Sequence, residues 1–193
     1  ISLCNFKKDE NFNFSIMILI SMIPAGLVGF FYEDEINKLF EGNLFLVGSM
    51  LIITAILLFI SDKVKNLNKE LTAKNALIIG IAQALAILPG ISRSGSTITT
   101  SIFLGVNREL AAKFSFLMVI PIIIGSSLKM IVFDDVVFNN EIILNYAVGF
   151  ISALITGFYA CKWMILFVKK SKLIYFSIYC LIIGLISIFY TLL

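Results

Sequence analysis

The stretch Leu88-Pro89-Gly90-Ile91-Ser92-Arg93-Ser94-Gly95 breaks an apolar run that extends over residues 76–106. A hydrocarbon core of about 30 Å takes roughly 20 apolar residues of helix to cross. At 1.5 Å per residue, 76–88 makes about 20 Å of helix and 96–106 about 16 Å. Each arm reaches only the middle of a bilayer, and two thin full spans are the less favoured reading. The surrounding charges decide between them. Five other segments qualify or nearly qualify as spans: 14–31, 44–60, 114–133, 142–168 and 173–193. They are continuously apolar and do not alternate, which speaks against a strand barrel. Loop 32–43 carries Glu33, Asp34, Glu35 and Glu41 against one lysine, whereas loop 61–75 carries Lys63, Lys65, Lys69 and Lys74. Loop 134–141 has no basic residue, and Lys169, Lys170 and Lys172 follow the fourth long span. The positive-inside rule puts loops 61–75 and 169–172 in the cytoplasm and loops 32–43 and 134–141 outside. One span, 114–133, then places Arg108 and Lys113 inside as well. The broken run therefore returns to the side it left, as a re-entrant helical hairpin over 76–106 with its tip at 89–95.

Composition agrees with a membrane setting. The chain of 193 residues is 60% hydrophobic and 14% charged, with a mean hydropathy of +1.02. A soluble domain carries roughly 25% charged and 45–50% apolar residues, and a chain this small cannot hide the excess in a core. With 12 Gly and 3 Pro, low complexity and a collagen-like chain are excluded too. A net charge of +3 gives no basis for nucleic-acid binding. Cys4, Cys161 and Cys180 show no CxxC spacing, and the latter two lie in apolar segments, where they read as buried small hydrophobes. The sequence contains no histidine and begins at Ile1 without an initiator Met, so it reads as a piece of a longer protein. Lys129 and Lys162 lie near span ends, where they can snorkel, while Pro24 and Pro121 read as tolerated packing features of spans. The expectation is an all-α polytopic membrane protein: one integral membrane domain over 1–193, with about five transmembrane helices plus the hairpin.

Between Lys74 and Arg108 the only charged residue is Arg93, and the topology puts it near the bilayer midplane. An arginine there costs about 2.5–3.5 kcal/mol on insertion scales, and the hairpin contains no acid to pair with it. Its missing partner is expected to be an anion. Ser92, Ser94, Ser96 and Thr97 supply hydroxyls, and Gly90 ends the first arm with Pro89. Gly95 lets the backbone N–H groups converge, and a second arm starting at about Ser96 aims its positive end into the tip. Thr97, Thr100 and Ser101 share one face of that arm. The guanidinium fork matches two phosphate oxygens at once, so a phosphate or diphosphate site is the expectation. The competing reading has the serines satisfying a broken helix and Arg93 snorkelling along it. Gln83 either lines the site or makes an interhelical hydrogen bond.

The run from Ala82-Gln83-Ala84 through Pro89-Gly90-Ile91-Ser92-Arg93-Ser94-Gly95-Ser96-Thr97 resembles the Pro-Gly-x-Ser-Arg-Ser-Gly-x-Thr signature of the undecaprenyl-diphosphate phosphatase, or bacitracin-resistance, family. Phe114-Ser115-Phe116-Leu117 with Pro121 and Gly125 is similar to the family's next helix, and Ile23-Pro24-Ala25-Gly26 through Leu39-Phe40 to an earlier segment. The resemblance covers essentially the whole chain. It implies an integral enzyme of the bacterial plasma membrane that converts undecaprenyl diphosphate to undecaprenyl phosphate, recycling the carrier of peptidoglycan precursors. It implies catalytic roles for Ser92, Arg93 and Thr97, with Gln83, Gly90, Ser94, Gly95 and Ser96 around the substrate. It also implies two inverted repeats, this hairpin belonging to the second, and a divalent cation (Mg or Ca). The family's acidic Glu-x-x-x-Glu segment, its Pro-x-Ser-Ser turn and its histidine are missing and are expected before Ile1. The clamp is thus present without a base or metal ligands, and this piece alone is expected to be inactive. A homo-oligomer is compatible with this reading. A carrier or flippase that binds a lipid phosphate or small anion without hydrolysis is the alternative, since transporters also build midplane sites from broken helices. A histidine-dependent lipid phosphatase of the type 2 phosphatidic acid phosphatase kind is excluded by the absence of histidine.

Overall fold

Apolar runs of this length can satisfy their backbone inside a bilayer only as helices or closed barrels. The computed structural model describes residues 10–40, 42–65, 67–133 and 140–192, and among these the chain chooses helices: α1 (Glu10–Phe31), α2 (Glu33–Leu39), α3 (Leu44–Lys63), α4 (Ala73–Leu85), α5 (Arg93–Phe103), α6 (Arg108–Leu117), α7 (Ile120–Phe133), α8 (Asn140–Lys169) and α9 (Ile174–Leu192). Among the described residues, five stretches are long and apolar enough to cross a membrane: Phe12–Phe31, Leu44–Lys63, Arg108–Lys129, Asn145–Lys169 and Ile174–Leu192. The protein is a multi-pass, all-α membrane protein.

Several boundaries differ from those expected. The arms of the hairpin keep their lengths, 13 and 11 residues, but each starts three residues earlier. Capping decides this, because Thr72 accepts the Asn75 N–H and Ser92 accepts the Gly95 N–H, so helix begins at Ala73 and Arg93. The loop expected over 32–43 contains the short helix α2, with Lys38 paired to Glu35 at 2.9 Å. The span over 114–133 is not one clean helix. It divides between α6 and α7, just before Pro121, whose ring removes the N–H that would bond to Leu117. Most of the expected loop over 134–141, residues 134–139, lies outside the described residues, as does Cys4. Cys180 is buried as expected, but Cys161 is exposed on α8, and both are free thiols.

Packing is tightest where side chains are absent. A Cβ on Gly48 of α3 would stand 2.8 Å from the Gly184 carbonyl oxygen of α9, and one on Gly184 the same distance from the Gly48 oxygen. Gly80 of α4 lies likewise against the Ser21 backbone of α1. Close backbone approach of this kind is how helices associate where lipid offers no hydrophobic drive. Ile79, Ile98, Ile102, Phe114 and Met118 fill the space between these pairs. Phe14 meets the Phe114 ring edge-on, with centroids 5.6 Å apart.

One end of the bundle collects the polar staples. Buried Arg108 donates to the carbonyl oxygens of Ser61 (2.8 Å), Asp62 (3.3 Å) and Val64 (2.9 Å), and its guanidinium stands 3.7 Å from the Asp62 carboxylate. That carboxylate accepts the Ile174 N–H at 2.7 Å, capping α9. Glu109 pairs with Lys113 and with Lys169, each at 2.8 Å. The base of the hairpin is here too. The Lys69 N–H donates to the Gly105 oxygen at 2.9 Å, Lys69 and Val106 form an isolated parallel bridge, and Asn107 donates to Asn68 at 2.7 Å. The chain thus leaves through α4 and returns through α5 to the end it came from.

Candidate functional site

The turn between the arms begins before the proline. Pro89 disfavours helix at the residue ahead of it, and the last turn tightens through Ile87 N–H to Ala84 O (3.2 Å) and Leu88 N–H to Leu85 O (3.3 Å). Leu88-Pro89-Gly90-Ile91 then closes with an Ile91 N–H bond to Leu88 O at 3.2 Å. Gly90 has a φ of +96°. Proline second and a positive-φ glycine third are what a type II turn demands. Gly90 also lies directly against the Val47 carbonyl, leaving no room for a Cβ.

The second arm starts with Ser92, whose hydroxyl oxygen accepts the Gly95 N–H at 3.0 Å while its carbonyl takes the Ser96 N–H at 2.8 Å. The N–H groups of Arg93 and Ser94 have no acceptor among the described residues. Neither does the Arg93 guanidinium, half-buried in the first turn, pair with any described carboxylate. A cation, two bare N–H groups, the positive end of a helix and the Ser92 hydroxyl are therefore gathered within one turn, the arrangement in which a phosphate group is held.

The remaining expected residues divide by burial. Ser94 is half-exposed, whereas Ser96 is buried. Thr97 is 1% exposed; its hydroxyl lies 2.6 Å from that of Ser115 and 3.0 Å from the Arg93 carbonyl oxygen. Gly95, expected just ahead of the second arm, lies within it. It stands inside the first turn of α5, where a Cβ would meet the Ser92 hydroxyl at 2.9 Å. Ser101 donates to the Thr97 oxygen at 2.7 Å, and Thr100 is only partly buried. Gln83 is 1% exposed, with neither end of its amide hydrogen-bonded. That rules out the interhelical hydrogen bond in this arrangement.

Two positions escaped the sequence reading. Thr54 of α3 accepts the Ser92 N–H at 3.1 Å, and its hydroxyl lies 3.1 Å from Met50 O and 3.4 Å from Gly90 O. Ser115 of α6 holds Thr97 from the other side. The only signal for Thr54 was a hydroxyl among aliphatic residues. Ser115 stands in the Phe114-Ser115-Phe116 run, where nothing indicated its partner.

The family described as Bacitracin resistance protein BacA matches residues 2–186, a range that contains the whole hairpin. The chain belongs to this family. It is 48% identical over 188 residues to an undecaprenyl-diphosphatase of Christiangramia forsetii, covering 97% of this chain and 71% of that protein. To an undecaprenyl-diphosphatase of Parabacteroides distasonis it is 50% identical over 196 residues, 99% of this chain and 73% of that one. A similarly named protein of Halothermothrix orenii is 41% identical over 188 residues, 95% and 71% of the two chains.

Among the described residues, no group of three or more Cys, Asp or Glu side chains could hold a metal ion. Asp62 and Glu109 are engaged with Arg108, Lys113 and Lys169 at the end of the bundle away from the tip. The donor set of a divalent cation is not present among these residues.

Proposed function

We propose that this protein hydrolyses undecaprenyl diphosphate to undecaprenyl phosphate and inorganic phosphate, with the tip of the α4–α5 hairpin holding the diphosphate. The observation that carries the reading is Arg93, a guanidinium in an apolar hairpin that finds no anionic partner among the described residues. Its fork donates to two phosphoryl oxygens, and the Arg93 and Ser94 N–H groups stabilise further charge that builds up as the bond to the bridging oxygen breaks. Ser92 is the hydroxyl at hand, since its oxygen accepts only from Gly95 and its proton remains available to a phosphoryl oxygen. Thr97 is turned inward to Ser115 and shapes the first turn of α5 from behind.

An apolar cleft supports a lipid substrate. A cavity of about 490 Å³ lies beside the tip between α1, α2 and α4, with Pro24, Leu27, Ile36, Ile81, Leu85 and Leu88 among its walls. Leu88 opens the turn that leads to Ser92, so a prenyl tail in this cleft would deliver its diphosphate to Arg93. The lysine-rich end faces the cytoplasm in this reading, α2 lies outside, and the membrane is the bacterial plasma membrane.

The test is release of inorganic phosphate by the purified full-length protein, native against Arg93→Lys. A point charge cannot reproduce the fork, and loss of roughly 100-fold in kcat is expected, the scale of a missing transition-state donor. Near-full release by the variant would falsify the clamp. Flux of the lipid across vesicles without phosphate release would replace hydrolysis by transport.

A further inference from the structure

A second apolar groove lies away from the tip, at the lysine-rich end. α8 leans on α6, and α9 packs on α3. Between α8 and α9 the two helices meet at Phe167, whose ring stands edge-on to Phe176 at 5.6 Å and to Tyr175 at 6.5 Å. Around this corner the surface opens into a cavity of about 790 Å³, walled by Phe116 of α6, Cys161 and Met164 of α8 and Tyr179 of α9. It continues past Trp163 and Phe167 into a smaller recess of about 310 Å³ whose rim carries Lys170 and Lys172. The larger volume lies within the range of ligand pockets, roughly 300–1,000 Å³.

The rim is built rather than frayed. α8 ends with Ser171 in the left-handed region, φ +51°. The Lys172 N–H returns to the Phe167 oxygen at 3.0 Å and the Ser171 N–H to the Val168 oxygen at 3.1 Å, the paired bonds of a Schellman end. This fixes Lys170 and Lys172 on either side of the turn. Lys169, their neighbour, is paired with Glu109, but neither Lys170 nor Lys172 has an acidic partner among the described residues. Two exposed ammonium groups stand over an apolar trough, with an exposed Trp163 at the junction.

We propose that this groove binds an anionic glycerophospholipid, its phosphate on Lys170 and Lys172 and one acyl chain along the α8–α9 trough. Basic pockets between helices at a membrane surface take anionic headgroups in this way. The site is separate from the diphosphate tip. Thr54, which holds the tip, lies about 14 Å along α3 from Lys63 at the lysine-rich end, at 1.5 Å per residue.

Trp163 is the one tryptophan in these 193 residues and reports on the groove directly. The full-length protein in detergent is titrated with bromine-labelled phosphatidylglycerol or phosphatidylcholine, and quenching is taken as the difference between native protein and Trp163→Phe. Half-quenching is expected at about tenfold less of the anionic lipid, a preference that two lysines can supply. The preference falls to near parity in the Lys170→Gln/Lys172→Gln double variant. Should that variant not fold, about 1 M salt on the native protein must produce the same collapse, because it shortens the screening length to about 3 Å. Equal quenching by both lipids, a preference indifferent to lysines and salt, or no quenching by either would each overturn the site. Relief of quenching by stoichiometric undecaprenyl phosphate would assign the groove to prenyl lipid instead and overturn it too. None of these outcomes depends on phosphatase activity.

Discussion

Thr54 satisfies its own helix through Met50 and holds the tip through Ser92 with the same hydroxyl. Replacing it by valine keeps the shape but leaves the part-buried Ser92 N–H without its acceptor, a cost of about 1 kcal/mol. Thr54→Val is therefore expected to lower kcat for phosphate release roughly tenfold with little change in KM, and Thr54→Ser to restore it. Loss of thermal stability without a kcat effect would make Thr54 a packing residue only. Arg93 and Ser92 were legible in the sequence because a charge inside an apolar run has to be explained. Thr54 and Ser115 were not, since a lone hydroxyl in an apolar helix ordinarily bonds a carbonyl three or four residues back in its own helix. Only the approach of a second element shows that it does more. Gln83 was legible as a polar residue on the first arm, and its burial with an unpaired amide follows only from the packing of α4.

At the scale of helices, the lengths of the arms followed from hydropathy but their registers did not. Thr72 and Ser92 are better N-caps than any residue three positions later is a helix boundary, and a hydropathy count is blind to capping. The division of α6 from α7 had a sequence signal in Pro121, whose consequence is felt one turn upstream. Gly90 makes the turn itself testable. Gly90→Ala places a methyl against the Val47 carbonyl at a φ that alanine resists, and thermal unfolding should show a loss of about 1–3 kcal/mol. At the other end, Asp62→Ala removes the carboxylate beside buried Arg108 and the cap of α9 together. A loss of about 3 kcal/mol is expected from breaking a buried pair, visible as a lower melting temperature. An unchanged melting temperature would show that the three carbonyls around Arg108 are enough to hold it.

Taken whole, the molecule has one end rich in lysine and ion pairs and another carrying the acidic helix α2. The proposed orientation is checked by labelling single cysteines, Lys69→Cys and Glu35→Cys, on a background without Cys4, Cys161 and Cys180. A membrane-impermeant maleimide applied to intact cells is expected to modify the Glu35→Cys protein and spare the Lys69→Cys protein. The reverse pattern would invert the orientation and move the tip to the opposite leaflet. The clasp between Lys69 and Gly105 also bears on the order in which the chain is assembled. Helices of 13 and 11 residues are each well short of a span, so neither is recognised as one when it emerges from the ribosome. The segment is expected to stay at the membrane surface until α3 and α6, before and after it, have entered and offered Val47, Thr54 and Ser115 as a socket. The proposed diphosphate-holding tip would then settle only after the helices on both sides of it have entered. A nascent chain halted before Ser115 is expected to carry the signature motif complete in sequence and still unseated.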